Sequence, residues 1–533
     1  MIPDKLRQAF SIGVGICAFC CLTVPSMSAQ QAVAYEVKHD VSLPVWALAT
    51  TRTARAAAAE QAEQEEMDGR QPKSLHAVAR VSKSVRDAVA QASSVARLSV
   101  TAGLNFDGVP GTGYAPPDTN GAIGATQYVQ WVNTRFAVYS KTTGLKLLGP
   151  TAGYYFWQGF GGPCQTQNQG DIVAQYDKAA ARWVMTHRAS QTGGPYLECV
   201  AVSVTSDATG SYYRYAFPNP FNNYFTDYPK LAVWSDGYYF SADLQDQNNH
   251  FKPQGSMVCA FDRNNMLQGN TATEQCFLVP NTTVYSLLPS DLDGQTAPPQ
   301  GSPNYFVNLD AAHNALDLWQ FQTDWTNPSN STFTGPTILS VAPFTEACNG
   351  GFCIPQANTT NVVDSLGDRV LYRFAYRNFG SYESLLVAHS VNSGSSVGVR
   401  WYEIRDPESN PPTVYQQGTF APDSNFRWMP SIAQDKLGDI AVGYSVSSSS
   451  MYPSIRYTGR VPSDGLGTME TENSIKSGGG SELAGNNRWG DYTAMTVDPV
   501  DDCTFWYTNE YYSTSSIKSW RTRIASFKFS TCQ

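Results

Sequence analysis

The sequence predicts an all-β body built by radial repetition, a six- or seven-bladed β-propeller preceded by a signal peptide and a short helical segment. Three observations predict it. From residue 101 onward the helical period disappears, and short runs rich in Tyr, Phe, Trp, Val and Thr alternate with Gly, Pro, Asn and Asp turns. A weak strand–turn–strand unit recurs along those residues. No Pro- or Ser-rich break divides 101–533, and a tandem of β-sandwiches would need one as a linker.

At the N-terminus, Lys5 and Arg7 precede an apolar run from Ala9 to Val24, followed by Pro25 and the small residues Ser26, Ser28 and Ala29. This is the order of a secretory signal over residues 1–29. The run is shorter than the roughly 20 residues a spanning helix needs, so cleavage is expected, with no membrane insertion afterwards. No Leu-Ala-Gly-Cys-like box precedes Cys17, Cys20 or Cys21, which argues against a lipoprotein cut. The mature chain is expected to be secreted, periplasmic or at the cell surface.

Residues 30–100 have a different composition. An Ala- and Glu-rich stretch leads into SLHAVARVSKSVRDAVAQASSVARLSV, where Leu75, Val78, Val85, Val89, Ala92 and Ala96 sit at helical spacing. The expectation is a linker with one amphipathic helix: a pro-segment, a stalk, or a helix packed on the main domain.

The propeller is expected over 101–533. Its clearest repeat copies are PSIAQDKLGDIAVGYS (430–445) and TAMTVDPVDDCTFWYT (493–508): an apolar strand, an Asp-containing turn, and a second strand. Looser copies occupy 117–133, 170–186, 227–242, 305–321 and 369–390. Roughly 60 to 70 residues per blade gives six or seven blades. The end run SWRTRIASFKFSTCQ is a candidate for closing the ring.

Of 11 cysteines, three lie in the signal, and an even remainder in an exported chain favours disulfides. Pairing sequence neighbours keeps each loop within one local β unit: Cys164–Cys199, Cys259–Cys276, Cys348–Cys353 and Cys503–Cys532. A zinc site would want shorter cysteine spacing and partner histidines.

Composition narrows the function. Charged residues make up 15% of the 533, below the roughly 25% of ordinary soluble domains, and aromatics reach 12%. Disordered, coiled-coil and collagen-like chains are excluded. A net charge of −9 provides no basic field to neutralise phosphates, so no nucleic-acid partner is expected.

The stretches PPDTNGAIG, DRVLYRFAYRNFGSYESLLVAHSV, MPSIAQDKLGDIAVGYS, YPSIRYTGR and NRWGDYTAMTVDPVDDCTFWYTNEYY resemble a group of secreted bacterial β-propeller proteins often called sialidase-like. The resemblance covers most of 101–533 and implies the fold and export. It does not imply sialic acid cleavage. A sialidase would carry Asp boxes, Ser-x-Asp-x-Gly-x-Thr-Trp, and a Phe/Tyr-Arg-Ile-Pro motif, whereas FCIPQ at 352–356 has Cys where that motif needs Arg.

In a propeller, equivalent strand starts converge on one mouth of the central channel. Asp118, Asp171, Asp227, Asp368 and Asp491 each stand near the start of a proposed strand. Carboxylates gathered there repel one another, which raises some pKa values and suits acid/base work or a cation. Paired carboxylates are what glycosidic hydrolysis needs. The competing reading is that each Asp caps a turn.

Arg369, Arg427 and Arg488 lie near this set in sequence and are candidates to hold an acidic sugar or to pair the aspartates. Trp401, Trp428 and Trp489 each follow an arginine and offer platforms for sugar rings, or blade packing. His187, His250, His313 and His389 are the histidines of the body. His389, with Tyr402 or Tyr492, is a candidate base for a lyase, against a structural role. Asp118-Thr-Asn120-Gly121 resembles part of a calcium loop, so Ca2+ is a candidate ligand, although no Glu-terminated EF-hand loop follows. No Gly-x-Ser-x-Gly elbow, His-Glu-x-x-His, P-loop or dinucleotide fingerprint is present.

These readings converge on a polysaccharide or glycoconjugate partner, with hydrolase or lyase chemistry at the channel mouth. The catalytic candidates are Asp118, Asp171, Asp227, Asp368, Asp491 and His389. The substrate-binding candidates are Arg369, Arg427, Arg488, Trp428, Trp489 and Tyr492. The alternative is a non-catalytic propeller binding glycans or proteins at the cell surface, and a structural envelope protein is a third.

Overall fold

The computed structural model describes residues 29–48, 87–91, 99–111, 113, 115–167, 170–190, 195–222, 224–249, 251–280, 284–409 and 411–532. Residues 1–28 of the expected signal (1–29), most of the expected amphipathic helix and His250 lie outside them. Among the described residues the strands group into seven four-stranded antiparallel units, numbered here in chain order. Their first strands are Thr119–Ile123, Val173–Asp177, Phe225–Val233, Leu288–Asp293, Leu371–Asn378, Phe426–Gln434 and Ala494–Val497. Each first strand touches that of the next unit, and the seventh touches the first. Seven sheets whose inner strands close into a ring around one axis form a β-propeller.

The repeat copies fall one to each unit. Six cover the inner strand and its neighbour, but the copy at 305–321 covers the second and third strands of its unit, Asn304–Asp310 and Ala315–Gln322. The true inner strand there, LPSDLD, is rich in buried polar residues and so lacks the apolar pattern that reveals the others. The turn aspartates do the work their residue type suggests. Asp435 accepts from the N–H groups of Leu437 and Asp439 at 2.9 and 3.0 Å, and Asp177 accepts from Ala180 N at 3.0 Å.

Ring closure is completed by Trp520–Phe529, which pairs with Val100–Pro110 as the outer strand of the seventh unit. All four expected disulfides form, and Cys503–Cys532 ties the chain end to that unit. Tryptophans fill the spaces between sheets, with Trp131, Trp183, Trp234 and Trp520 almost wholly enclosed. Each such burial contributes about 2–3 kcal/mol.

The described part of 30–100, expected as linker, is built into the sheets. Gln30–Tyr35 pairs antiparallel with Thr273–Val279, the outer strand of the third unit. Lys38–Val41 pairs in the same way with Tyr212–Pro218 of the second. Ala90–Gln91 lies parallel to Thr419–Phe420 on the fifth. Val89, expected on the helix, instead offers its carbonyl to Thr419 N at 2.9 Å.

Ion pairs fasten these additions. Arg214 grips Asp40 in a two-pronged contact at 2.8 and 2.7 Å, and buried Arg400 reaches Asp87 at 2.6 Å. Among the described residues no helix is long and apolar enough to cross a membrane.

Because these segments cap outer edges, a chain beginning at residue 99 leaves the outer strands of the second and third units bare. Such edges recruit other chains. We expect this truncation to melt several degrees lower than the full chain and to self-associate in size-exclusion chromatography; unchanged melting and elution would show that the added strands carry no stability.

Candidate functional site

Five of the seven inner strands are approached or entered through a non-glycine residue in the left-handed region: Asp118 (φ 51°), Asp171 (51°), Tyr228 (54°), Ser286 (54°) and Met429 (53°). A left-handed residue costs roughly 1 kcal/mol or more, so its repetition at one end of the ring marks a specified feature. In the third unit that position is Tyr228, one residue beyond Asp227. The expected ring of aspartates is therefore broken there by a tyrosine.

Tyr228 meets Tyr492 of the seventh unit, with ring centroids 5.2 Å apart. These units are not neighbours in the ring, so the two tyrosines touch across the axis. Tyr228 OH donates to the Asp491 carbonyl at 3.3 Å, and Tyr492 OH to that of Pro229 at 3.0 Å. Between them sits the ammonium of Lys230, 3.0 Å from the Tyr228 ring centroid and 4.2 Å from that of Tyr492. It donates to the carbonyls of Tyr228 and Pro229 at 3.1 and 3.2 Å. Burial pushes the Lys230 pKa well below the usual lysine range, against the pull of Asp243, Asp491 and Asp171. This trio floors the mouth of the channel.

The acidic groups surround that floor. Asp118 is almost enclosed; its Oδ1 accepts from Asp491 N at 3.1 Å and its Oδ2 from Asn133 Nδ2 at 3.2 Å. Burial, then the charges of Asp491 and Asp171, hold its carboxyl well above the usual range, so it stays protonated where ordinary aspartates ionise. Asp491 is partly exposed and bonded to Arg488. Asp368 is held in two-pronged fashion by Arg369 at 2.7 and 2.9 Å, and Arg369 lies 4.8 Å from the Tyr228 ring. Asp171 lies 3.4 Å from Arg188.

Asp364 joins this group from the short hairpin Phe352–Pro355 and Val362–Asp364, inserted between the fourth and fifth units. Burial raises its carboxyl to about 7, with Arg488 opposing and the charges of Asp368 and Asp491 adding to the rise. The arrangement therefore sets carboxyls that keep a proton, Asp118 and Asp364, beside carboxylates held by arginine, Asp491 and Asp368. A proton donor and a charged partner in one cluster is the division of labour that acid/base chemistry requires.

Asp118, Asp171, Asp368, Asp491, Arg369, Arg488 and Tyr492 thus gather at the mouth. Asp227 stands beside it, its carboxylate accepting from Gln245 Nε2 at 2.8 Å and Tyr228 N at 2.9 Å.

Other candidates sit elsewhere. His389 is fully enclosed within the fifth unit, bonded to Tyr402 OH at 2.9 Å and packed on Phe344; burial and Arg400 push its pKa well down. No surface is left through which a substrate could reach it. Arg427 is buried and makes four bonds of 2.8–3.0 Å to Asp423 and Glu472. Trp428 and Trp489 pack edge to face at 5.6 Å inside the core, so neither offers a face to sugar. The guanidinium fork of Arg369 is engaged by Asp368, and Arg488 bonds Asp491 through one nitrogen. In the suggested calcium loop, Asn120 Oδ1 accepts from Ala174 N at 2.9 Å on the neighbouring unit, so Asp118 and Asn120 turn to different partners.

Sequence reasoning missed Tyr228, Lys230 and Asp364. Tyr228 reaches the ring through a left-handed φ one residue beyond Asp227, which the DYPKLAV run does not reveal, and Lys230 follows from that same offset. Asp364 lies in an insertion outside the repeat, and no sequence signal marks it.

An acidic-mouthed β-propeller is the class that fold and site define. No family model and no curated protein matches the chain. Among solved structures it is similar to an endo-arabinase from Bacteroides thetaiotaomicron, at 11% identity over 68% of this chain and 99% of that one, with a TM-score of 0.30. It is similar also to the WD40 domain of SCAP from fission yeast, at 6% identity over 75% and 81%, with a TM-score of 0.31. For an α-L-arabinofuranosidase from Podospora anserina in complex with cellotriose the figures are 12%, 58%, 93% and 0.25. Scores of this size carry no argument about chemistry, and the fold rests on the closed ring itself.

The raised Asp364 carboxyl links pH to stability. The unfolded group ionises near 3.8 and the folded one near 7, so the native state binds the extra proton between those values. Its contribution is fully present below about 4 and is lost as pH rises through about 7. Asp364→Asn keeps Oδ1 as acceptor for Leu366 N. We expect this variant to melt higher than the wild type at pH 8 and to lose that advantage at pH 4, in melting curves across the range; parallel curves would sink this account.

Proposed function

We propose that this exported chain is a glycan-active propeller that cleaves glycosidic bonds at its axial mouth, with Asp118 as proton donor and Asp491 as the charged partner. The observation that carries this reading is the pairing itself. Asp118, kept protonated by burial and by two acidic neighbours, accepts a hydrogen bond from the backbone of Asp491, whose own carboxylate is held by Arg488 and partly open to solvent. Glycosidic hydrolysis needs one carboxyl to protonate the leaving oxygen and one carboxylate to act as base or nucleophile. Elimination by a histidine base has less support, because His389 is enclosed.

A second reading, recognition of glycans or proteins without turnover, is favoured by one observation. The carboxylates most open to solvent, Asp491 and Asp368, already have arginine partners within the protein.

Asp118→Asn is suited to separate the two readings. It keeps Oδ1 as acceptor for Asp491 N and gives up only the 3.2 Å bond from Asn133, whose Nδ2 still donates to the Pro116 carbonyl at 2.9 Å. In a digestion screen of the full chain against a broad polysaccharide panel, followed by reducing ends and by absorbance of unsaturated products, we expect release by the wild type. Asp118→Asn and Asp491→Asn should retain the fold by thermal melting and lose activity about 100-fold or more. Binding without product across the panel would move the assignment to the recognition reading.

A further inference from the structure

Away from the mouth, the interface between the second and third units encloses a cavity of about 10 Å³, roughly what one water molecule needs. Glu198 of the second unit and Glu274 of the third both line it. Each is more than nine-tenths buried. Both Glu198 oxygens and Glu274 Oε1 lack a hydrogen-bond partner. The Thr186 hydroxyl lies beside Glu198, close enough to favour its charged form, yet its Oγ1 also makes no bond of ordinary geometry. The pairing of Thr186 with Val200 and of Arg188 with Glu198 across adjacent strands puts Thr186 and Glu198 on one face.

Two facing acidic side chains with bare oxygens around a monatomic space are costly as they stand. A buried carboxylate without a partner is destabilising by several kcal/mol. Protonation removes the charge but leaves both Glu198 oxygens and Glu274 Oε1 without a partner, still a penalty. A cation would satisfy all of these oxygens together.

We propose that Glu198, Glu274 and Thr186 form a binding site for a divalent cation of the calcium type between the second and third units. The donor set is oxygen only, which selects a hard ion. The Cys259 and Cys276 sulfurs lie within 4.8 Å of a Glu274 oxygen but are joined to each other, so they are not thiolate ligands.

The charged groups acting on the pair are Arg188 and Asp171 on Glu198, and the two glutamates on each other. Burial raises both acids, Glu198 to about 8, and the ion must displace their protons. Affinity should therefore weaken by about tenfold or more between pH 8 and pH 6.

The test is calcium titration of the full, EDTA-stripped chain at pH 8 and pH 6, read by calorimetry and by melting temperature. One equivalent is expected to bind at pH 8 with a melting rise of several degrees, and Glu198→Gln or Glu274→Gln should abolish both. Independently of any variant, crystals soaked in Mn2+ should show anomalous density between Glu198 and Glu274. No saturable binding at pH 8, binding untouched by either Gln substitution, or only a water in that density would each overturn the proposal. None of these outcomes depends on turnover at the mouth.

Discussion

Seven sheets arranged about an axis each present the open edge of an inner strand to the centre, and those edges must find hydrogen-bond partners without water. An unpaired buried backbone group costs about as much as a lost hydrogen bond, repeated at every strand. The chain meets this demand with side chains that reach sideways. Asn120 Oδ1 accepts from Ala174 N, Asp291 Oδ1 from Val233 N, and Ser431 Oγ from Met495 N, each at 2.9 Å. Between the fourth and fifth units the backbones pair directly as parallel strands, from Ser290 opposite Phe374 to Asp293 opposite Arg377. Polar side chains on inner strands are thus a requirement of the architecture before they are anything else.

Charge follows from that requirement. Once Asp291 serves Val233, its burial calls for compensation, and Arg373 supplies it while also reaching Asp293 at 2.6 Å. Burial alone would raise the Asp293 pKa, yet Arg373 and Lys178 hold it well below the usual range. Gln175 completes the layer with a 3.0 Å bond to Asp291. The channel therefore has two strata. The lower one balances two carboxylates, Asp291 and Asp293, with an arginine and a lysine. The upper one, above Tyr228, Lys230 and Tyr492, carries more acids than bases, and its surplus stays protonated. That imbalance distinguishes the mouth from the stitching beneath it.

Much of this was legible in the sequence where a pattern repeated. Alternating apolar strands with Asp turns located all seven units, and an even number of cysteines beyond residue 29 led to the four bridges. Positions set by three-dimensional offset were not legible. Asp227 heads its repeat copy much as Asp118 does, but it lies inside the strand Phe225–Val233, and a one-residue shift of the left-handed position gives the ring site to Tyr228. Trp428 and Trp489 look like sugar platforms beside arginines, yet their indoles pack against each other. The strands at 30–41 escaped because they lie next to an Ala- and Glu-rich stretch and pair only with residues far along the chain.

That last pairing bears on how the molecule is made. Gln30–Tyr35 adds to a strand that begins at Thr273, and Val100–Pro110 to one that begins at Trp520. Lys38–Val41 therefore has no partner strand until about 170 further residues have been assembled and Gln30–Tyr35 until well over two hundred, and the ring itself shuts only when Trp520–Phe529 is in place. Contacts this distant in sequence slow folding. These strands are thus seated late, and until then the nascent protein carries unpaired strand edges, a window in which a chaperone or holding factor would have its greatest effect.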